Sequence, residues 1–418
     1  MSDTPPNHPD SINSSSGSGA GEKKVKSRRP ANTAFRQQRL KAWQPILTPK
    51  TVLPLFFAVG IVFAPIGGLL LWASAQVQEL VIDYSECTTN APFGNDVDSF
   101  GDMPTNLVSS TFKSTNNSNQ IGAQYKRNWT TVEYAPGVEV NTSVCSLSFR
   151  IPDNIGPPVF LYYRLSNFYQ NHRRYVKSLD SDQLKGTAKA DTDLSACDPL
   201  KTNGSGLPYY PCGLIANSVF NDTFMQPVAL GVSSNYTYPM TDEGIAWSSD
   251  GELYGPTKYK WNEIAPPPNW MMRYPNGYTP SNPPPSLHED QAFQVWMRTA
   301  GLPLFSKLAL RNDNGTMESG NYRIDIRDNF PVIEFGGTKS IVISTRTVMG
   351  GRNPFLGIAY VVVGGLCVLL GALFTATHLI KPRKLGDHTY LSWSNDQPTA
   401  ATTTGREVRP GTTASNLA

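Results

Sequence analysis

The sequence predicts a membrane protein in which two transmembrane helices flank a large, mainly β luminal domain (α+β, with long irregular loops). Three observations carry that prediction. Val52–Ala75 holds no charge across 24 residues, and as a helix it would be about 36 Å long, enough to cross a bilayer core. A second apolar run, Pro354–Ile380, is broken only by His378. Between the runs lie four of the five cysteines and seven of the eight N-x-S/T sequons, as expected of a segment facing an oxidising, glycosylating compartment.

Charge sets the expected topology. The first fifty residues hold nine Lys or Arg against three acids, and the tail after Ile380 holds five against three. Basic residues flanking membrane spans stay cytosolic, so both termini are expected in the cytosol. Subtracting +6 and +2 from the whole-chain +3 leaves −5 for the part between. The first apolar run begins after fifty mostly polar residues, too late for a cleavable signal peptide.

The expected segments are then a disordered cytosolic tail (1–34), an amphipathic cytosolic segment (35–50), a first span (51–76), a glycosylated luminal or extracellular domain (77–353), a second span (354–380) and a cytosolic tail (381–418). The first is rich in Ser, Pro, Gly, Asn and Lys and cannot bury enough apolar surface to fold. In the second, Arg36, Arg39 and Lys41 alternate with Phe35, Leu40, Trp43 and Ile46, which suits the membrane interface. Within the first span Gly60, Ala64 and Gly68 recur every four residues, and within the second Gly357, Gly364 and Gly371 every seven. Such stripes let another helix approach closely, whether the sibling span or a partner's.

In the middle domain Val159–Leu165 is a bulky β-forming run, Ser340–Val348 alternates as a half-buried strand does, and Asp325–Phe335 holds a shorter alternating piece. Gln291–Thr299 is the expected helix. Cys87, Cys145, Cys197 and Cys212 allow three pairings. Joining sequence neighbours, Cys87 with Cys145 and Cys197 with Cys212, is the expected one, and no paired C-x-x-C supports zinc. Glycosylation is expected at Asn116, Asn128, Asn141, Asn203, Asn221, Asn235 and Asn314, and not at Asn13 in the cytosolic tail.

Catalytic patterns are missing from the sequence. Only His172 and His288 fall in the middle domain, and there is no H-E-x-x-H or G-x-S-x-G. Gly336–Ser340 (GGTKS) resembles the end of a phosphate loop but lacks its other glycines, and reads as a turn before a strand. Asp180, Asp182, Asp191 and Asp193 form two D-x-D pairs without the Gly and Glu of a calcium loop, and read as a solvated acidic loop. Asn167–Lys177 (NFYQNHRRYVK) is the most unusual stretch. Its Asn171, His172, Arg173 and Arg174 can meet an anionic head group or an acidic partner loop, while a packed aromatic ridge with solvated arginines is the other reading.

Several longer words make the chain recognisable. They are AWQPILTP (Ala42–Pro49), NFYQNHRRYVKS (Asn167–Ser178), PCGLIANSVFNDTF (Pro211–Phe224), GIAWSSD (Gly244–Asp250), FQVWMRTAGLP (Phe293–Pro303), NPFLGIAY (Asn353–Tyr360) and LIKPRKLGDHTYLSW (Leu379–Trp393). In order and content they resemble the ligand-effect-modulator / cell-division-control-protein-fifty family, the β-subunits of type IV P-type ATPases (phospholipid flippases). PPNWMMRYPNGY (Pro267–Tyr278) resembles fungal members. The resemblance implies a non-catalytic accessory subunit, needed for the ATPase to fold, leave the endoplasmic reticulum and complete its cycle of aminophospholipid transport to the cytosolic leaflet. It implies residence in the endoplasmic reticulum, Golgi and endosomes or plasma membrane. The expected partners are a type IV P-type ATPase catalytic subunit, in a heterodimer, and membrane lipids, with no nucleic acid, cofactor or metal. The partner-binding residues expected are Trp43, Gly60, Ala64, Gly68, Asn171, His172, Arg173 and Arg174. A stand-alone glycoprotein receptor or an ectoenzyme is the alternative.

Overall fold

The structure is a computed structural model, and it describes residues 33–40, 47–94, 99–114, 121–231, 235–345 and 351–382. Most of both tails, Trp43, Asn116 and residues 346–350 lie outside the described residues.

In chain order the described residues form helix α1 (Pro49–Ala75), strand β1 (Glu79–Asp83), helix α2 (Cys87–Asn90), and strands β2 (Gly101–Asp102), β3 (Val108–Thr111), β4 (Gln124–Ala135), β5 (Val138–Ile151) and β6 (Val159–Leu165). Short helices α3 (Arg173–Lys177), α4 (Ser181–Leu184) and α5 (Leu214–Asn217) follow, then strands β7 (Thr223–Phe224), β8 (Val228–Leu230) and β9 (Tyr236–Thr237). Helices α6 (Ser248–Gly251) and α7 (Gln291–Met297), strands β10 (Phe305–Asn312), β11 (Gly320–Arg327) and β12 (Lys339–Thr345), and helix α8 (Phe355–Ile380) complete the chain.

Helices α1 and α8 are long and apolar enough to cross a membrane. Glycine makes their seam. Gly60 and Gly67 of α1 and Gly357, Gly364 and Gly371 of α8 are buried. A Cβ placed on Gly364 would lie 2.9 Å from the Ala64 nitrogen, and one on Gly67 would lie 2.7 Å from the Val361 nitrogen. Any side chain there forces the helices apart, so small residues set the closeness of the pair. The stripe differs from the one read in the sequence: it runs through Gly60, Ala64 and Gly67, while Gly68 is exposed with open space around it. The reason is helical period. Two steps of four residues rotate about 80° off a face, whereas a step of seven drifts only about 20°.

The rest is an antiparallel β-sandwich with a large insert. One sheet has the order β10-β6-β12-β1-β3; the other runs β2-β4-β5-β11-β8-β9, with β7 also on β11. Alternate residues meet between the sheets: Leu80, Ile82, Leu161, Ile341 and Ile343 from the first, Leu147, Phe149, Ile324 and Ile326 from the second. That is the period-two burial of two sheets packed face to face. Strand β12, paired on both sides by β6 and β1, is buried along nearly its whole length. The Asp325–Phe335 piece is not one strand: β11 ends at Arg327 and a single helical turn forms at Ile333–Phe335. Helix α7 ends at Met297, two residues short of the expected limit, and starts where the Asp290 carboxylate accepts from Phe293 N at 2.8 Å, an N-cap.

Residues between β6 and β10, apart from β7–β9, form the insert. Its core is unusually rich in tyrosine, with Tyr210, Tyr254, Tyr274 and Tyr278 packed on Phe293 and Leu287. The disulfide Cys197–Cys212 closes a loop inside it, with Cα atoms 5.6 Å apart. Cys87–Cys145, 5.9 Å between Cα atoms, ties α2 to β5. At the membrane side the two strands that adjoin the spans are stitched together. Gln78 N donates to Thr345 Oγ1 and Thr345 N to the Gln78 carbonyl, both at 3.1 Å, and Asn353 N donates to Ser74 Oγ at 3.1 Å.

Candidate partner surface and the network behind it

Strand β6 runs from Val159, opposite Thr345, to Leu165, opposite Lys339, about 20 Å at 3.3 Å per residue. Because β1 follows α1 and pairs its Glu79 with Ser344, the Leu165 end points away from the spans. The Asn167–Lys177 segment begins there. Asn167 turns the chain at φ 55°, a left-handed conformation asparagine tolerates, and its Nδ2 donates to the Phe335 carbonyl at 2.7 Å. Phe168 then inserts among Trp296, Phe305, Phe330 and Phe335, with ring centroids 5.5 to 6.3 Å away. Tyr175 packs edge-on against it and bonds to Ser218 Oγ at 2.8 Å; burial raises its phenol pKa.

The aromatic half is thus anchored in the interior, and the polar half lies on the surface. Asn171, His172, Arg173 and Arg174 are all exposed. Asn171 Nδ2 donates to the Gly301 carbonyl at 2.9 Å, and His172 precedes the first turn of α3. Neither guanidinium pairs with a carboxylate among the described residues. The contacts at Asn167 and Asn171 tie this segment to the 301–304 and 333–336 loops. On these three pieces Tyr169, Leu302, Leu304 and Ile333 are each more than half exposed. Two free arginines beside exposed apolar side chains make a surface suited to an acidic, partly apolar partner.

Behind the surface lies a cluster that local sequence reasoning missed. Lys339, in the GGTKS turn, is buried. Its Nζ donates to Asp222 Oδ2 at 2.8 Å, to the Phe330 carbonyl at 2.6 Å and to Asp328 Oδ1. Asp222 also accepts from Tyr84 Oη at 2.9 Å and from the backbone nitrogens of Asn329 and Phe330 at 2.6 and 2.7 Å. Two carboxylates around one ammonium leave Asp328 the weaker partner: burial, then the nearby Asp222 charge, push its carboxyl up to about 6. Its Oδ2 has no hydrogen-bond partner among the described residues. Nearby, Lys307 caps α7, donating to the carbonyls of Val295, Trp296 and Arg298 at 3.0, 2.6 and 2.6 Å. Burial pulls its amine down to about 7, while three acceptors around one nitrogen favour the ammonium, which alone has three protons to give.

Of the two D-x-D pairs, Asp182, Asp191 and Asp193 are exposed, as a solvated loop requires, and Asp180 alone is buried. Asp180 caps α4 by accepting from Gln183 N at 2.8 Å, and pairs with Lys189 at 2.8 Å. Lys189 also meets Asp182 at 2.9 Å, and these two hydrogen bonds raise the Lys189 pKa. Among the described residues no group of three or more His, Cys, Asp or Glu is placed to hold a metal ion. Of the sequon asparagines described, Asn141, Asn235 and Asn314 are exposed and Asn128, Asn203 and Asn221 half-buried.

Two apolar helices on a glycine seam, continued by a disulfide-bonded β-sandwich, define an integral membrane protein organised around contact surfaces. The chain belongs to the LEM3 (ligand-effect modulator 3) family / CDC50 family, whose pattern it matches over residues 70–384. It is 45% identical to the phospholipid-transporting ATPase accessory subunit CRF1 of Saccharomyces cerevisiae, over 88% of this chain and 90% of that one. It is 43% identical to the phospholipid-transporting ATPase accessory subunit CDC50 of Chaetomium thermophilum, over 89% and 92%. The cell cycle control protein 50A of Bos taurus is 39% identical over 84% and 89%.

Proposed function

We propose that this chain is the non-catalytic accessory subunit of a phospholipid-transporting ATPase, forming a heterodimer with the catalytic subunit and supporting its folding, its exit from the endoplasmic reticulum and its transport of aminophospholipid to the cytosolic leaflet. The observation that carries this reading is likeness along about nine-tenths of two relatives named as such subunits. The excess of Lys and Arg outside both spans supports cytosolic termini. The β domain then faces the lumen or the cell exterior, where its sequons meet the glycosylation machinery. The arginine ridge at the far end of β6 suits the contact with the catalytic subunit's non-cytosolic loops, and the outward side of α1, where Gly68 lies, suits contact with its spans.

Purification from native membranes in mild detergent tests the reading. A tagged copy is expected to bring down a large P-type ATPase in stoichiometric amount, with ATP hydrolysis that phospholipid stimulates. A glycoprotein recovered alone overturns it.

A further inference from the structure

A cavity of about 340 Å³ opens beside Asn221, between the sandwich and the insert. Its walls combine the rings of Phe220, Trp270 and Phe293 with the polar groups of Asp242, Asn269 and Arg273. Its volume and its mix of apolar walls with few polar groups are those of a small-ligand site, which typically spans about 300–1,000 Å³. We propose that this cavity is the seat of the innermost N-acetylglucosamine residues of a glycan carried on Asn221 itself. The proposal rests on the luminal placement of the β domain given above.

The geometry of Asn221 carries it. None of the other described sequon asparagines lines the cavity. Among the described residues the buried Asn221 Oδ1 has no hydrogen-bond partner, and its Nδ2, the atom a glycan takes, makes no hydrogen bond either. The acetamido N–H of a sugar on Nδ2 is a donor within reach of that unmet oxygen. The chain around the sequon is rigid. Phe220 stacks on Tyr163 with centroids 4.0 Å apart and planes 2° from parallel. Asp222 is locked by Lys339 and Tyr84, and Thr223–Phe224 pair with β11. A sugar attached here is aimed at one place.

The walls fit a pyranose. Its C–H face is apolar and suits an aromatic ring, and Trp270 is held ready by its Nε1, which donates to the Ala216 carbonyl at 2.9 Å. The hydroxyls and acetamide need the polar partners that Asp242, Asn269 and Arg273 supply. Attachment forms a bond from Nδ2 to sugar C1 and breaks the C1–O bond to a lipid-linked diphosphate donor. The lipid diphosphate leaves and one amide proton is released. This happens on the unfolded chain, so the cavity closes around a glycan already present.

The test is the rate of release by peptide N-glycosidase from the intact, purified protein, followed site by site with glycopeptide mass spectrometry. The Asn221 glycan is expected to be released about tenfold or more slowly than those at Asn141 and Asn235, because cleavage waits on local opening. After denaturation the rates should converge. Trp270→Ala should bring the native rate at Asn221 up toward the others. Should that variant fail to fold, Arg273→Ala, at an exposed position on the rim, is expected to shift the rate the same way. An unmodified Asn221 beside occupied sequons, or native release as fast as elsewhere, overturns the seat and leaves the cavity to another occupant, such as a loop of a partner protein. No glycan at any site overturns the luminal placement as well.

Discussion

Lys339 donates to Asp222 at 2.8 Å with the two side chains 2% and 0% exposed, and this pair holds the first residue of β12 to the segment that precedes β7. A buried ion pair contributes little net stability against an apolar replacement of both partners, but losing one partner strands a charge. Lys339→Met leaves both Asp222 and Asp328 without their ammonium and should destabilise the protein by about 3–5 kcal/mol. Lys260→Ala, which removes a surface pair with Glu263 at 3.9 Å, should change stability by less than about 1 kcal/mol. Thermal unfolding of the purified variants checks the contrast; equal effects would mean the network is not a structural anchor.

The same cluster predicts a pH slope. Asp328 is raised from the ordinary 3.8 to about 6, so the folded protein takes up its proton before the unfolded chain does. Stability from this group therefore falls as pH rises from about 4 to about 6 and is level above. The effect is at most about 3 kcal/mol. Asp328→Asn keeps an acceptor toward Lys339 and puts an amide where Oδ2 has no partner. It should flatten this part of the stability curve relative to the parent protein. Parallel pH curves for the two proteins would remove Asp328 from the account.

The helix seam is tested by size. Gly364→Leu meets the Ala64 backbone and should separate α1 from α8, lowering cross-linking between cysteines placed at Phe63 and Tyr360, whose rings lie 5.0 Å apart. Gly68→Leu enters open space and should leave that cross-link unchanged. If Gly68→Leu lowers recovery of the ATPase without touching the seam, the outward face of α1 is the membrane interface.

At the far end of the sandwich, Arg173→Ala with Arg174→Ala removes two charged donors from an exposed turn. Hydrogen bonds to charged groups contribute about 1.5–3 kcal/mol each, so lipid-stimulated ATP hydrolysis should fall by about tenfold or more while Tm stays near that of the parent. Phe168→Ala, by contrast, opens a hole among five aromatic rings and should cost about 3–5 kcal/mol of stability. Unchanged hydrolysis in the double arginine variant would move the contact off this ridge.

What the sequence disclosed follows from range. The spans were legible because an apolar run long enough to cross a bilayer is visible in a single window, and β6 was legible because Val159–Leu165 is a continuous β-forming run. Helix α7 was placed correctly but stopped earlier, since the chain turns at Arg298 to let Lys307 reach the last carbonyls. The network at Lys339 was invisible because its partner Asp222 lies 117 residues away, and no local pattern marks a lysine that will be buried. Asp180 differs, since its partner Lys189 is only nine residues away: the sequence holds the pair but does not show that Asp180 will be buried as the cap of α4. Gly67, seven residues from Gly60, completes the seam with α8 that spacing by four did not show, and Gly68 lies off that seam with open space around it.

The stitching of Gln78 to Thr345 has a mechanical consequence. The strands that continue the two spans are neighbours in the middle of one sheet, so neither span can slide along the other without shearing a ladder of backbone hydrogen bonds. Sequence-distant Gln78 and Thr345 thus act as a latch, and the register of β1 against β12 is passed directly to the residues from which the two spans depart.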